Sequence, residues 1–229
     1  MRQNTIYTAV GNLQHRITEN GEKYPVIRLK YQDYPVDPQE LTVWAALCWR
    51  LCGLEQLQTH YAQLAQSLPV ERRTLESCVT RLEMRGLIAK GVGSTGLEAL
   101  YDLLCDLYVQ PVSEKLSYRV SAFLSLLRHG VSVTKARRVF VRDRRNDREA
   151  QVMALARQAL LSTAELVKCA ELGVTDVSSD EKLMDALYDD EDTTSDNIGM
   201  LMQVAQSREP VTAAIANLYL RKQIVLERV

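Results

Sequence analysis

Residues 71 to 91 read ERRTLESCVTRLEMRGLIAKG, and the polar side chains of this run are spaced to meet a nucleic acid. Leu75, Cys78, Val79 and Leu82 recur at helical period, which turns Arg72, Arg73, Glu76, Ser77, Thr80 and Arg81 to the opposite face. A guanidinium can bridge guanine edges or clasp a phosphate, and Ser or Thr hydroxyls donate to phosphate oxygens. Glu71, Glu76 and Glu83 temper that face, and the competing reading is the solvated side of a core helix. A second cationic cluster, KARRVFVRDRRNDR, holds seven Lys or Arg against two Asp, with Arg137, Arg138, Arg144 and Arg145 at its centre. It suits phosphate neutralisation with a salt-dependent gain in affinity. It equally suits pairing with the acidic segment around Asp189, Asp190, Glu191 and Asp192, or a charged helix exterior.

Other chemistries find little footing. GVGSTG lacks the lysine of a phosphate loop, and GxSxG, HExxH and DxDxDG patterns are absent from the sequence. His15, His60 and His129 are scattered without paired carboxylates or cysteines. Cys48 and Cys52 lie one helical turn apart, but no second Cys or His pair follows at finger spacing. With Cys78, Cys105 and Cys169 they read as reduced core side chains. The expectation is a protein that is not an enzyme and takes no cofactor and no metal.

Composition is that of a globular chain: 46% hydrophobic residues are too many for wholesale disorder. No apolar run reaches the roughly 18 residues of a membrane span, and MRQNTIYTAVGNLQHR lacks a signal-peptide core, so a cytoplasmic protein with no membrane contact is expected. The net charge of −1 argues against indiscriminate coating of nucleic acid. Charge is nonetheless segregated: residues 113 to 150 carry ten Lys or Arg against four Asp or Glu (+6), and residues 151 to 229 carry seven against thirteen (−6).

Residues 1 to 35 read as a β-arm, with ENGE as a hairpin turn between β-prone runs. Asp37-Pro38-Gln39-Glu40 offers a cap acceptor, a proline at the first helical position and a glutamate three residues after the cap, so a helix starts there. It runs to Gly53; a second spans LEQLQTHYAQLAQSL as far as Pro69; the third is the run at 71 to 85, ended by Gly86. LIAKG suits a strand and VGSTG a loop tip. LEALYDLLCDLYVQPV reads mainly as helix, and further helices are expected through SEKLSYRVSAFLSLLRHG and REAQVMALARQALLSTAELVKCAELG. SSDEKLMDALYDDEDTTSD has a short helical centre and a solvated acidic end.

Three helices followed by a strand and a glycine-containing tip, with TRLEMRGLIAKG at the junction, resemble the winged helix-turn-helix superfamily of bacterial regulators, without pointing to a specific family. The resemblance implies that the third helix lies in the major groove of duplex DNA and that Lys90, Ser94 and Thr95 sit on the wing. The chain also echoes itself. SCVTRLEMRGLIAK (77 to 90) aligned with AAIANLYLRKQIVL (213 to 226) pairs Val79 with Ile215, Leu82 with Leu218, Arg85 with Arg221 and Ile88 with Ile224, at a constant offset of 136. In this copy the exposed face offers Thr212, Asn217, Arg221 and Lys222 and is less basic.

The expected architecture is therefore mainly α: a β-arm (1–35), a winged helix-turn-helix domain with a small β-wing (36–112), a helix and basic connector (113–148) and a helical, winged-helix-like domain (149–229). The expected function is duplex DNA binding, as a dimeric transcriptional regulator reading with the helix at 71–85. The alternative is a non-enzymatic adaptor whose tandem units grip a protein partner, with the acidic C-terminal domain as the docking surface.

Overall fold

A computed structural model describes residues 3–66, 73–112, 132, 144–190 and 192–228. The first structural fact that departs from expectation is the amount of sheet. Four strands, β1 (Asn4–Ala9), β2 (Asn12–Ile17), β3 (Lys23–Leu29) and β4 (Gln32–Pro35), precede the first helix. β2, β3 and β4 form an antiparallel sheet whose hairpin turns at Gly21, with φ +81°. Three helices follow, α1 (Pro38–Leu47), α2 (Leu54–Ala65) and α3 (Leu75–Met84), then β5 (Ile88–Gly93), α4 (Gly96–Leu104) and β6 (Tyr108–Pro111). The remainder comprises α5 (Asp147–Ala156), β7 (Leu161–Ser162), α6 (Thr163–Leu172), α7 (Asp180–Tyr188), α8 (Ile198–Leu201), α9 (Arg208–Leu220) and β8 (Ile224–Glu227). With three small sheets among the described residues, the fold is mixed α and β, which overturns the mainly α expectation.

The expected wing is the specific point of failure. After β5 the chain does not return as a second wing strand. Thr95 caps a new helix, its hydroxyl accepting from the Glu98 amide while the Glu98 carboxylate accepts from Ser94 and Thr95 amides. β5 pairs instead with β1, from the N-terminal segment, in the register Tyr7↔Lys90 and Ala9↔Ile88. Gly91 and Gly93 of KGVGSTG have a different task from forming a loop tip. α4 crosses β5 so closely that a Cβ on Gly91 would run into the backbone of Ala99 and Leu103, and one on Gly93 into that of Ala99.

A duplication organises the whole. β1 is the centre of a small sheet, bonded to β5 on one side and bridged at Tyr7 to Cys52 on the other. β6 repeats this: Val109 faces Leu226 of β8 and Leu161 of β7. Moving 109 residues on from α1 (Pro38–Leu47) gives α5 (Asp147–Ala156), from Cys52 gives Leu161, and from the cap Gly53 of α2 gives the cap Ser162 of α6. The 136-residue offset seen in the sequence takes the last residue of α3, Met84, to that of α9, Leu220, and the first of β5, Ile88, to that of β8, Ile224. Backbone hydrogen bonds match as well, Leu87 to Leu82 and Gln223 to Leu218, both at 2.9 Å. The second copy differs mainly by the acidic insertion holding α7 and α8 between its second and third helices.

The two copies share one hydrophobic core, which runs from Ile27 and Trp44 through Leu82 and Leu104 to Leu155 and Leu218. Tyr219, buried in α9, joins them: the Trp49 amide donates to its oxygen at 2.9 Å, its own O–H donates to the Ala9 carbonyl at 3.2 Å, and the Thr8 hydroxyl lies 2.9 Å away. Burial holds this phenol above the ordinary tyrosine range. None of the described helices is long and apolar enough to cross a membrane.

The close α4–β5 crossing gives a direct stability test. Gly91→Ala should cost about 2–4 kcal/mol in urea unfolding because backbone must move, whereas Gly96→Ala, with nothing within 4 Å of the new methyl, should be neutral or stabilising by up to about 1 kcal/mol.

Candidate functional site

The residues expected to meet DNA converge only in part. Arg72, Arg137 and Arg138 lie outside the described residues. Ser77 and Thr80 are exposed on α3, as the helical period requires, and the Thr80 hydroxyl donates to the Glu76 carbonyl at 2.9 Å. Lys90 is exposed on β5, but Ser94 and Thr95 are at the start of α4, not on a wing. Arg144 is exposed and uses its carbonyl to accept from Arg221 at 3.3 Å, and Arg145 Nε donates to Gln223 at 2.5 Å.

Arg81 of α3 and the flanking Arg73 and Arg85 turn back toward α1. Asp37 caps α1 by accepting from the Gln39 and Glu40 amides, and its carboxylate also accepts from Arg73. Burial works against the Asp37 charge, but Arg73 and the two amides outweigh it and hold the carboxyl below its ordinary range. Gln39, itself buried, clamps the Arg73 backbone: its amide donates to the Arg73 carbonyl at 2.7 Å and its oxygen accepts from the Arg73 N–H at 3.2 Å. Glu40 closes the capping box and is 2% exposed. One of its oxygens accepts from Arg81 Nε at 3.0 Å, the other from Arg85 Nη1 at 3.1 Å. A buried carboxylate is tolerated only when so paired and hydrogen-bonded. Arg73 and Arg81 are therefore fastened to the fold at one end while half-exposed at the other.

The second copy repeats this clasp. Asn146 caps α5, Glu149 closes its box with 1% exposure, and Arg221 Nη1 donates to Glu149 Oε2 at 3.0 Å. Here a donor is missing. The residue 136 beyond Arg81 is Asn217, and Glu149 Oε1 is buried without a partner among the described residues. Thr212, expected on the exposed face, is buried, and seven of the thirteen α9 residues are covered, so α9 has little free surface for a groove.

Glu40 and Glu149 were not singled out as site residues from sequence, although a signal existed. The cap tetrads Asp37-Pro38-Gln39-Glu40 and Asn146-Asp147-Arg148-Glu149 share the cap-x-x-Glu pattern 109 residues apart. The 136-residue offset that pairs Arg85 with Arg221 does not reach them, because the acidic insertion shortens the offset to 109 on its N-terminal side.

The acidic segment is partly neutralised from within. The buried Lys168 of α6 donates to Asp190 at 2.5 Å, to Thr193 at 2.8 Å and to the Leu187 carbonyl at 2.7 Å. Hydrogen bonding from Lys168 and Thr193 brings the Asp190 carboxyl down to about 2. All five cysteines are free, and among the described residues no group of three or more His, Cys, Asp or Glu is placed to hold a metal. Comparison with protein-family models, with curated proteins and with solved structures found no match.

The orphaned oxygen of Glu149 makes a prediction. Asn217→Arg should restore the donor that Arg81 supplies in the first copy and raise stability by about 1 kcal/mol, or a few degrees in Tm. Thermal melting checks it: an unchanged or lower Tm would show that the two clasps are not equivalent.

Proposed function

We propose that the chain is a cytoplasmic, non-enzymatic protein-interaction adaptor built on a duplicated unit, and that α3 is a structural helix of that unit. The observation that carries this reading is the recurrence of the Arg–Glu clasp in both copies. A pair that appears at the same place in two units, Arg85 with Glu40 and Arg221 with Glu149, is a fold-making pair, and Glu40 also engages Arg81, one of the guanidiniums that groove reading would need. Each unit also leaves an apolar side chain exposed at the last position of its third helix, Met84 at 76% and Leu220 at 48%, where a partner chain could bury it.

Electrostatics favour the same assignment for the chain outside residues 113–143. Residues 113–143 hold seven Lys or Arg and two Asp or Glu; removing them from totals of 28 and 29 leaves 21 against 27, a net charge of −6 on the rest of the chain. An acidic body repels a phosphate backbone and attracts a basic partner. The same count favours one second reading, duplex DNA binding through the basic residues of 113–143, Arg137 and Arg138 among them, rather than through α3.

Titration against random and genomic duplex DNA across a salt series separates these readings. The adaptor reading predicts that Thr80→Ala with Lys90→Ala leaves any DNA affinity unchanged within about twofold. Loss of binding in that variant, or sequence-selective binding by α3, would overturn it. Binding lost instead in Arg137→Ala with Arg138→Ala would establish the second reading.

A further inference from the structure

The cleft between the two copies carries chemistry that neither reading above uses. It has a volume of about 530 Å³, within the range of small-molecule sites. One wall comes from the end of α1 and the turn after it, with Trp44, Cys48, Trp49 and Arg50, and the other from Tyr219 and Lys222 at the end of α9. Both tryptophans of the chain are therefore in it. Its lining includes two cations, Arg50 and Lys222, and no carboxylate. Among the described residues neither cation forms an ion pair: Arg50 donates to the Ala46 carbonyl at 3.2 Å, and Lys222 Nζ lies 5.3 Å from the centre of the Trp49 ring.

The backbone at this place is unusual in a way the duplication exposes. Lys222 occupies the position that Gly86 holds in the first copy. Gly86 has φ +72°, the left-handed conformation natural after a helix end. Lys222 has φ +60° and Trp49 φ +53°, conformations that strain a residue bearing a side chain. The fold needs only a glycine at this junction, as the first copy demonstrates. The lysine side chain, at a strained position, is what puts an ammonium with no carboxylate partner among the described residues at the mouth of an aromatic cleft. Both cations also act on one wall group: burial pushes the Cys48 thiol up to about 11, and Lys222 and Arg50 are the charges that oppose the shift.

We propose that this cleft binds a small organic anion with a flat apolar body, its carboxylate or sulfonate held by Lys222 and Arg50 and its body laid along the indoles. An aromatic carboxylate satisfies both halves of the lining, an ion pair to cations that have no acidic partner and apolar contact with ring faces. Since the walls come from both copies, the occupant bridges them and favours the arrangement in which Tyr219 is seated against Thr8 and Ala9.

The probe is naphthalene-2-carboxylate, titrated calorimetrically into the full chain, with the neutral naphthalene-2-carboxamide as its isosteric control. The carboxylate should bind saturably at one site, and Lys222→Gly should weaken it by about tenfold or more while leaving the carboxamide unaffected. Because glycine takes φ +60° freely, this variant should melt no lower than the parent. Arg50→Gln, at an exposed position, is a second variant and should weaken the carboxylate but not the carboxamide. No saturable carboxylate binding at millimolar concentration, equal affinity for the two probes, or parental carboxylate affinity in both variants would overturn the assignment.

Discussion

Each unit of this protein depends on a glutamate buried at the third position of its first helix. Glu40 and Glu149 have side chains 3% and 1% exposed, so their charges are far from water and must be met by the protein. The helix itself supplies part of the answer, through N-terminal amides and the capping box. The rest comes from an arginine at the end of the third helix, Arg85 or Arg221, reaching across to the carboxylate. The distance between first and third helices is thereby set, and with it the strand that leaves the third helix and joins the central strand of the small sheet. Removing one partner of such a pair leaves an uncompensated buried charge, which costs far more than the pair itself contributes.

The two copies diverge where the molecule differentiates. Arg81 has become Asn217, which leaves Glu149 with an unsatisfied oxygen, and Gly86 has become Lys222, which strains the backbone. Glu83 has become Tyr219, whose hydroxyl organises contacts with Ala9, Thr8 and Trp49 in the other copy. Two of these three changes lower the intrinsic quality of the second unit, and the third ties it to the first. The first unit is thus the better-satisfied half, and the second carries the features that define the cleft and the seam.

Much of the local structure was legible because it rests on short-range chemistry. Asp37-Pro38-Gln39-Glu40 announced α1, the periodicity of Leu75 to Leu82 announced α3, and the Val79–Ile215 and Ile88–Ile224 pairs announced the repeat; all four of these residues are buried. Sheet pairing was not legible, since the paired residues of β1 and β5 lie 79 to 89 positions apart and nothing in IYTAV names its partner. Gly91 and Gly93 misled for a physical reason: a glycine required for close approach of a helix looks, in sequence, like one required for a turn. The candidate site was read from residue types that can touch phosphate. Sequence could not say that Arg73 and Arg81 already had Asp37 and Glu40 as partners, because those carboxylates read only as helix caps. The acidic run was one of several candidate mates for the basic connector, and sequence alone could not show that Asp190 within it meets Lys168 of α6.

A double-mutant cycle on each clasp tests the central claim most directly. Glu40 with Arg85, and Glu149 with Arg221, would each be replaced by alanine singly and together, and stability read by urea unfolding. A fold-making pair repeated in both units predicts a favourable coupling energy of about 1–3 kcal/mol in each cycle. Coupling below about 0.3 kcal/mol in either cycle would contradict the account.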